Sequence, residues 1–147
     1  MNREINTILI AEDSAADAEM AIDALREAKL ANPVVHVEDG VEALDYLFCR
    51  GAFAGRGKGN PAVVLLDIKM PRMDGLEVLK QMREHEKLKR VPVVMLSSSR
   101  EERDLAESWD LGVNAYVVKP VDVSQFFGAV QVLGQFWALL NESPQGN

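Results

Sequence analysis

The sequence predicts an α/β fold built on a doubly wound, five-stranded parallel sheet, and three observations carry that prediction. Short apolar runs alternate five times with longer segments of helical period. The third run, Ala62-Val63-Val64-Leu65-Leu66, is wholly apolar, as suits a central parallel strand covered by helices on both faces. Distinctive polar residues directly follow four of the runs, at the strand ends where open α/β sheets bind their ligands.

The elements follow in order. Thr7-Ile8-Leu9-Ile10-Ala11 reads as the first strand, and from Ala15 to Leu30 the residues Ala18, Ala21, Ile22, Leu25 and Ala28 recur at helical spacing. Asn32-Pro33 ends that helix, because a residue preceding proline is pushed out of the α region. Val34 to Val37 is the second strand; Asp39 caps a helix whose inward stripe is Val41, Leu44, Leu47 and Phe48. After the third strand, Asp74 caps a helix that turns Leu76, Leu79 and Met82 inward. Val91 to Leu96 is strand four, Glu101 to Leu111 helix four, Ala115 to Val118 strand five and Val123 to Leu140 helix five.

Composition bounds the function. With 147 residues, 48% hydrophobic and 27% charged, residues 1–147 are expected to form one domain, with a core from about 5 to 140 and a tail at 141–147. Sixteen basic against 23 acidic residues leave a net charge of -7, a field that repels phosphate backbones and argues against nucleic acid and anionic membrane surfaces as partners. The single cysteine, Cys49, permits no intramolecular disulfide and fits a cytoplasmic setting. The polar N-terminus lacks the pattern of a signal peptide, and no stretch approaches the roughly 18 apolar residues of a membrane span. The glycine-rich segment Arg50 to Pro61 reads as a flexible surface loop. It is not a phosphate loop, since it precedes a strand instead of joining a strand to a helix.

The strand ends carry the chemistry. Glu12-Asp13 ends strand one, Asp67 strand three, Ser97 strand four and Lys119-Pro120 strand five. A doubly wound order brings these groups to one crevice. Gathered carboxylates repel one another unless a cation sits among them, and an oxygen-only set suits Mg²⁺. Any one strand-end Asp reads more simply as a helix cap, but four compatible ends do not. A carboxylate at the end of the most apolar strand is costly unless it has a task, which marks Asp67 as a nucleophile toward phosphorus. Lys119 would neutralise a phosphoryl oxygen and the Ser97 hydroxyl would donate to another.

This set, with the string Leu66-Asp67-Ile68-Lys69-Met70-Pro71-Arg72-Met73-Asp74-Gly75, resembles the receiver domain of two-component response regulators over essentially the whole chain. The resemblance implies a flavodoxin-like (βα)5 fold with strand order 2-1-3-4-5. It implies Mg²⁺ held by Glu12, Asp13 and Asp67 and by the backbone carbonyl of Lys69, with Asp13 as a direct ligand. It also implies that Asp67 is the phosphoacceptor, that Ser97 and Lys119 hold the phosphoryl group, and that Pro120 follows a cis bond. Ser97 and Tyr116 would be the switch pair, although Tyr116 also reads as an ordinary half-buried strand aromatic. Ser98 would leave room for the phosphoryl group. Lys69 occupies a position that varies in the family and tunes phosphoryl lifetime.

His36, inside strand two, and His85, in a polar stretch, read as packed or solvated histidines, and Cys49 as a small apolar residue. Trp109 fits sheet packing and an exposed surface equally. The last helix carries Phe126, Phe127, Val130, Leu133, Phe136, Trp137 and Leu140 on more than one face, which predicts a homodimer through this helix and the tail. The alternative is a long core helix closely packed at Gly128 and Gly134. Lack of room after Leu140 for an output module predicts signalling by binding another protein. The aromatic terminal helix and the long loop before strand three resemble regulators paired with phytochrome-type kinases, which implies a sensor histidine kinase of bacteriophytochrome type as donor. The expectation is a switch and not an enzyme. An aspartate-nucleophile phosphatase would need an acid where Lys69 stands. A binding-only scaffold and a flavin protein of this topology are the other rivals.

Overall fold

The computed structural model describes residues 7–27, 32–56, 59–122, 124, 125 and 128. The apolar runs become β1 (Ile8–Ala11), β2 (Val34–Val37), β3 (Val63–Asp67), β4 (Val93–Ser97) and β5 (Ala115–Val118). Between them lie α1 (Ala15–Glu27), α2 (Gly40–Leu47), α3 (Gly75–Glu84) and α4 (Arg100–Trp109). The strands pair in parallel in the order β2-β1-β3-β4-β5, the doubly wound flavodoxin-like arrangement that the sequence predicts. Apart from the helical residues Ser124, Gln125 and Gly128, the fifth helix and the tail lie outside the described residues, and with them the expected dimer contacts.

Successive strand residues face opposite sides of the sheet, and this alternation divides the core into two layers. Leu9, Val64, Leu66, Val93 and Met95 pack with Leu44 and Leu47 of α2 and with Leu76, Leu79 and Met82 of α3. Ile8, Ile10, Val63, Leu65, Val94 and Leu96 pack on the other face with Ala21, Ala24 and Leu25 of α1. Every residue of β1, β3 and β4 is buried. Burying each Val, Leu or Ile contributes roughly 1.5–3 kcal/mol, so these central strands form a rigid base for whatever their carboxyl ends hold.

Asp39 and Asp74 cap α2 and α3 as expected, each accepting from an amide three residues on. Other boundaries differ from expectation. β3 extends one residue further and takes in Asp67 itself. β4 begins at Val93, since Pro92 has no amide proton to give the ladder. Ser99 caps α4, which ends at Trp109, where Asp110 turns left-handed at φ 54°. In α2 the stripe is shifted: Tyr46 is buried while Val41 and Phe48 are only half-buried.

Of the segment Arg50 to Pro61, expected as a flexible surface loop, the part from Arg50 to Arg56 is pinned, and residues 57 and 58 lie outside the described residues. Gly51–Phe53 forms a 3-10 turn whose Phe53 ring meets Tyr46 edge-on at 5.1 Å. The Arg56 guanidinium lies 4.0 Å from the Tyr46 ring centroid, and its Nε donates to the Tyr46 carbonyl at 2.7 Å. The buried aromatic that sequence periodicity passed over thus anchors the loop. Trp109 is 39% exposed, which decides between its two readings in favour of a surface. Among the described residues no helix is long and apolar enough to cross a membrane.

Candidate functional site

The register carries the predicted groups to one end of the sheet. Ala11 pairs with Leu66, so Glu12 and Asp67 follow side by side, while Ser97 ends β4 beside β3 and Lys119 follows β5. Glu12, Asp67 and Ser97 are each at most 1% exposed. His36 fixes the Glu12 peptide, its Nε2 donating to the Glu12 carbonyl at 2.8 Å.

Lys119 is the hub. Its Nζ lies 3.1 and 3.3 Å from Glu12 Oε1 and Oε2, 3.1 Å from Asp67 Oδ2 and 3.2 Å from Asp17 Oδ2. Four acceptor oxygens thus compete for the three protons of an ammonium. Carboxylate oxygens of Glu12, Asp13 and Asp67 lie within 4.8 Å of one another, with Asp13 exposed at the mouth. Two buried oxygens, Asp67 Oδ1 and Ser97 Oγ, have no hydrogen-bond partner among the described residues. An unsatisfied buried polar atom costs about 1–3 kcal/mol, which is tolerable where a ligand supplies the missing contact. An oxygen-only donor set with a spare buried carboxylate oxygen fits a hard divalent cation.

The electrostatics agree. Burial and the nearby Glu12 charge push the Asp67 carboxyl up to about 7, against the opposing pull of Lys119. Burial alone would lower Lys119, but Asp67 and Glu12 outweigh it and hold its ammonium above the ordinary lysine range. The pocket is a surplus of negative charge held together by one cation, arranged to receive more positive charge.

Residues 8–131 match the response regulator receiver domain family. This chain belongs to that family. The receiver is 34% identical over 130 residues to response regulator Rcp1 of Synechocystis sp., covering 88% of this chain and 87% of that protein. It superposes with a TM-score of 0.87 on the bacteriophytochrome response regulator AtBRR, at 56% identity, covering 95% of this chain and 100% of that one. With the phosphorylated cyanobacterial phytochrome response regulator RcpA the TM-score is 0.74 at 38% identity, covering 92% of this chain and 95% of that one.

The loop after β3 explains much of the receiver's signature string. A Cβ at Gly75 would lie 2.1 Å from the Asp67 carbonyl oxygen, so only glycine lets α3 start this close to the end of β3. Gly75 N also donates to the Ile68 carbonyl at 2.8 Å. Arg72, at φ 66°, forks onto Asp39, with Nε and Nη2 2.9 and 3.2 Å from its two carboxylate oxygens. Burial works against ionisation of Asp39, but the Glu42 amide and the Arg72 guanidinium prevail and hold its carboxyl below the usual range. One carboxylate therefore caps α2 and ties down the loop that leaves Asp67.

The remaining expected residues sit further out. Lys69 is exposed on the same loop, and Ser98 is exposed just beyond Ser97, its amide donating to Glu102 at 2.8 Å. The peptide before Pro120 is cis, as the resemblance implies. Tyr116 is half-buried, one strand beyond Ser97, with the Arg103 guanidinium 5.0 Å from its ring centroid. The sequence reading missed Asp17. Its amide donates to the Ser14 hydroxyl oxygen at 3.2 Å, and an acid in the first helical turn reads as an ordinary complement to the helix dipole.

Proposed function

We propose that this receiver is the phosphoacceptor of a two-component phosphorelay. A sensor histidine kinase, of bacteriophytochrome type, transfers its phosphoryl group to Asp67, and the modified domain then signals by binding another protein. The observation that carries this reading is Asp67 itself: buried, bridged to Glu12 by Lys119, and retaining one oxygen that, like the Ser97 hydroxyl at the end of the neighbouring strand, has no partner among the described residues. The phosphorylated state named for RcpA supports it.

Glu12, Asp13 and Asp67 would hold Mg²⁺, together with the backbone carbonyl of Lys69. When bound, Mg²⁺ neutralises charge gathering on the phosphoryl oxygens. An Asp67 oxygen forms the new O–P bond as the P–N bond of the phosphohistidine breaks, and the imidazole nitrogen keeps that electron pair and takes up a proton. Lys119 exchanges its contact with Asp67 for a phosphoryl oxygen, and Ser97 Oγ donates to another. Movement of Ser97, followed by Tyr116, would carry the change to the surface. Later attack of water on phosphorus frees Asp67 and inorganic phosphate. The chain thus turns over its own modification and is a switch, not an enzyme acting on a separate substrate.

Leu105 and Trp109, one turn apart on α4, are 47% and 39% exposed, and Val118 at the end of β5 is 47% exposed. These apolar residues support output by protein contact and a homodimer completed by the last helix and tail. The acidic charge and the lone cysteine favour a cytoplasmic site of action without nucleic acid. The test is to mix the receiver with an autophosphorylated bacteriophytochrome kinase in Mg²⁺. Label is expected to leave the kinase and appear on wild type but not on Asp67→Asn. Retention of label on the kinase with both proteins would refute the donor assignment.

A further inference from the structure

We propose that Asp17 is a positioning residue for Lys119: it holds the ammonium when the other carboxylates give it up, and so tunes both cation affinity and phosphoryl acceptance. This rests on the function proposed above and deepens it. Three carboxylates touch Lys119 Nζ, but they are not equivalent. Glu12 and Asp67 belong to the group of oxygens that lie within 4.8 Å of one another and fit a divalent cation. Asp17, 3.2 Å from Nζ and reaching in from the first turn of α1, stands outside that group.

Two consequences of opposite sign follow. Lys119 holds both Glu12 oxygens and Asp67 Oδ2, while Asp67 Oδ1 has no partner among the described residues, so a divalent cation seated there repels the ammonium from the oxygens the two share. Asp17 gives it a place to go and adds a negative charge that favours the cation. Removing the Asp17 carboxylate leaves Lys119 with only Glu12 and Asp67, and cation binding weakens. Once the cation is bound, the balance reverses. Asp17 then competes with the phosphoryl oxygens for Lys119 and repels an incoming phosphodianion. Its loss therefore speeds phosphorylation.

The Asp17 side chain is 29% exposed, so solvent screening limits each effect to about threefold. A purely structural Asp17, serving the α1 dipole, would not separate the two readouts, because a loosened α1 would lower both together.

The experiment uses the full chain as wild type, Asp17→Asn and Asp17→Glu. Mg²⁺ affinity is measured by calorimetry, and the initial rate of modification by acetyl phosphate at saturating Mg²⁺ by intact mass. Asp17→Asn is expected to bind Mg²⁺ about threefold more weakly yet accept phosphoryl about threefold faster, with Asp17→Glu returning both toward wild type. Two unchanged values, or two that fall together, would overturn the role of Asp17. A wild type that takes up no phosphoryl group would instead overturn the functional reading on which the proposal rests.

Discussion

Replacing Asp67 with Asn is expected to stabilise the metal-free protein, with a pH dependence that follows from the pocket's charge. Glu12, Asp13, Asp17 and Asp67 face one compensating ammonium, Lys119. Asp67 is 1% exposed, and its carboxyl is raised from 3.8 to about 7, first by burial and then by Glu12. A carboxyl raised in the folded state contributes stability that is complete below its unfolded value. That contribution is lost as pH rises through its folded value, here between about 4 and 7. Three units at about 1.4 kcal/mol each set a ceiling of roughly 4 kcal/mol. Asn forgoes the Asp67 contact to Lys119, so the expected net gain near neutral pH is about 1–2 kcal/mol. For a chain of this length that raises Tm by roughly 2–8 °C. Thermal unfolding in chelator should show Asp67→Asn ahead of wild type near pH 8, with the gap closing toward pH 4. Saturating Mg²⁺, which stabilises only a protein that binds it, should favour wild type and narrow the gap near pH 8. An Asn variant no more stable near pH 8, or a gain equal at both pH values, would refute the reasoning.

Two further substitutions probe the frame around the site. Gly75→Ala places a Cβ 2.1 Å from the Asp67 carbonyl and must shift the strand end, so it should cost about 1–3 kcal/mol in urea unfolding and slow acetyl phosphate modification by roughly tenfold or more. Arg83 donates to the carbonyls of Lys89, Val91, Leu111 and Gly112 at 2.8–3.2 Å. Arg83→Ala should therefore destabilise by about 2–3 kcal/mol while leaving the phosphorylation rate unchanged, and Arg83→Lys, which lacks the fork, should recover little stability.

What the sequence reveals about this fold is what short-range physics encodes. Apolar runs mark the strands, Asp39 and Asp74 announce the helix starts, and a polar residue after an apolar run marks a strand's carboxyl end. Once the doubly wound order is inferred, Glu12, Asp67, Ser97 and Lys119 must converge, and in the structure they do. Long charged side chains that bond across the sequence leave no periodic trace. Nothing local says that Arg72 will reach back 33 residues to Asp39, or Arg83 forward 28 to Leu111. Tyr46 escaped because an aromatic off the helical stripe looks exposed until its hydroxyl is found 2.7 Å from Thr7 Oγ1 and its ring between Phe53 and Arg56. Asp17 escaped for the opposite reason. Its local reading, an acid at a helix start, is true but incomplete, since its contact with Lys119 joins the first turn of α1 to the residue that follows β5.

The account's central claim is that Asp67 accepts a phosphoryl group. Intact mass after incubation with acetyl phosphate and Mg²⁺, beside Asp67→Asn and a chelated sample, tests it most directly. The account predicts one alkali-labile phosphoryl adduct on metal-loaded wild type, mapping to Asp67, and none on the other two. No adduct on wild type, or an equal adduct on Asp67→Asn, would contradict it.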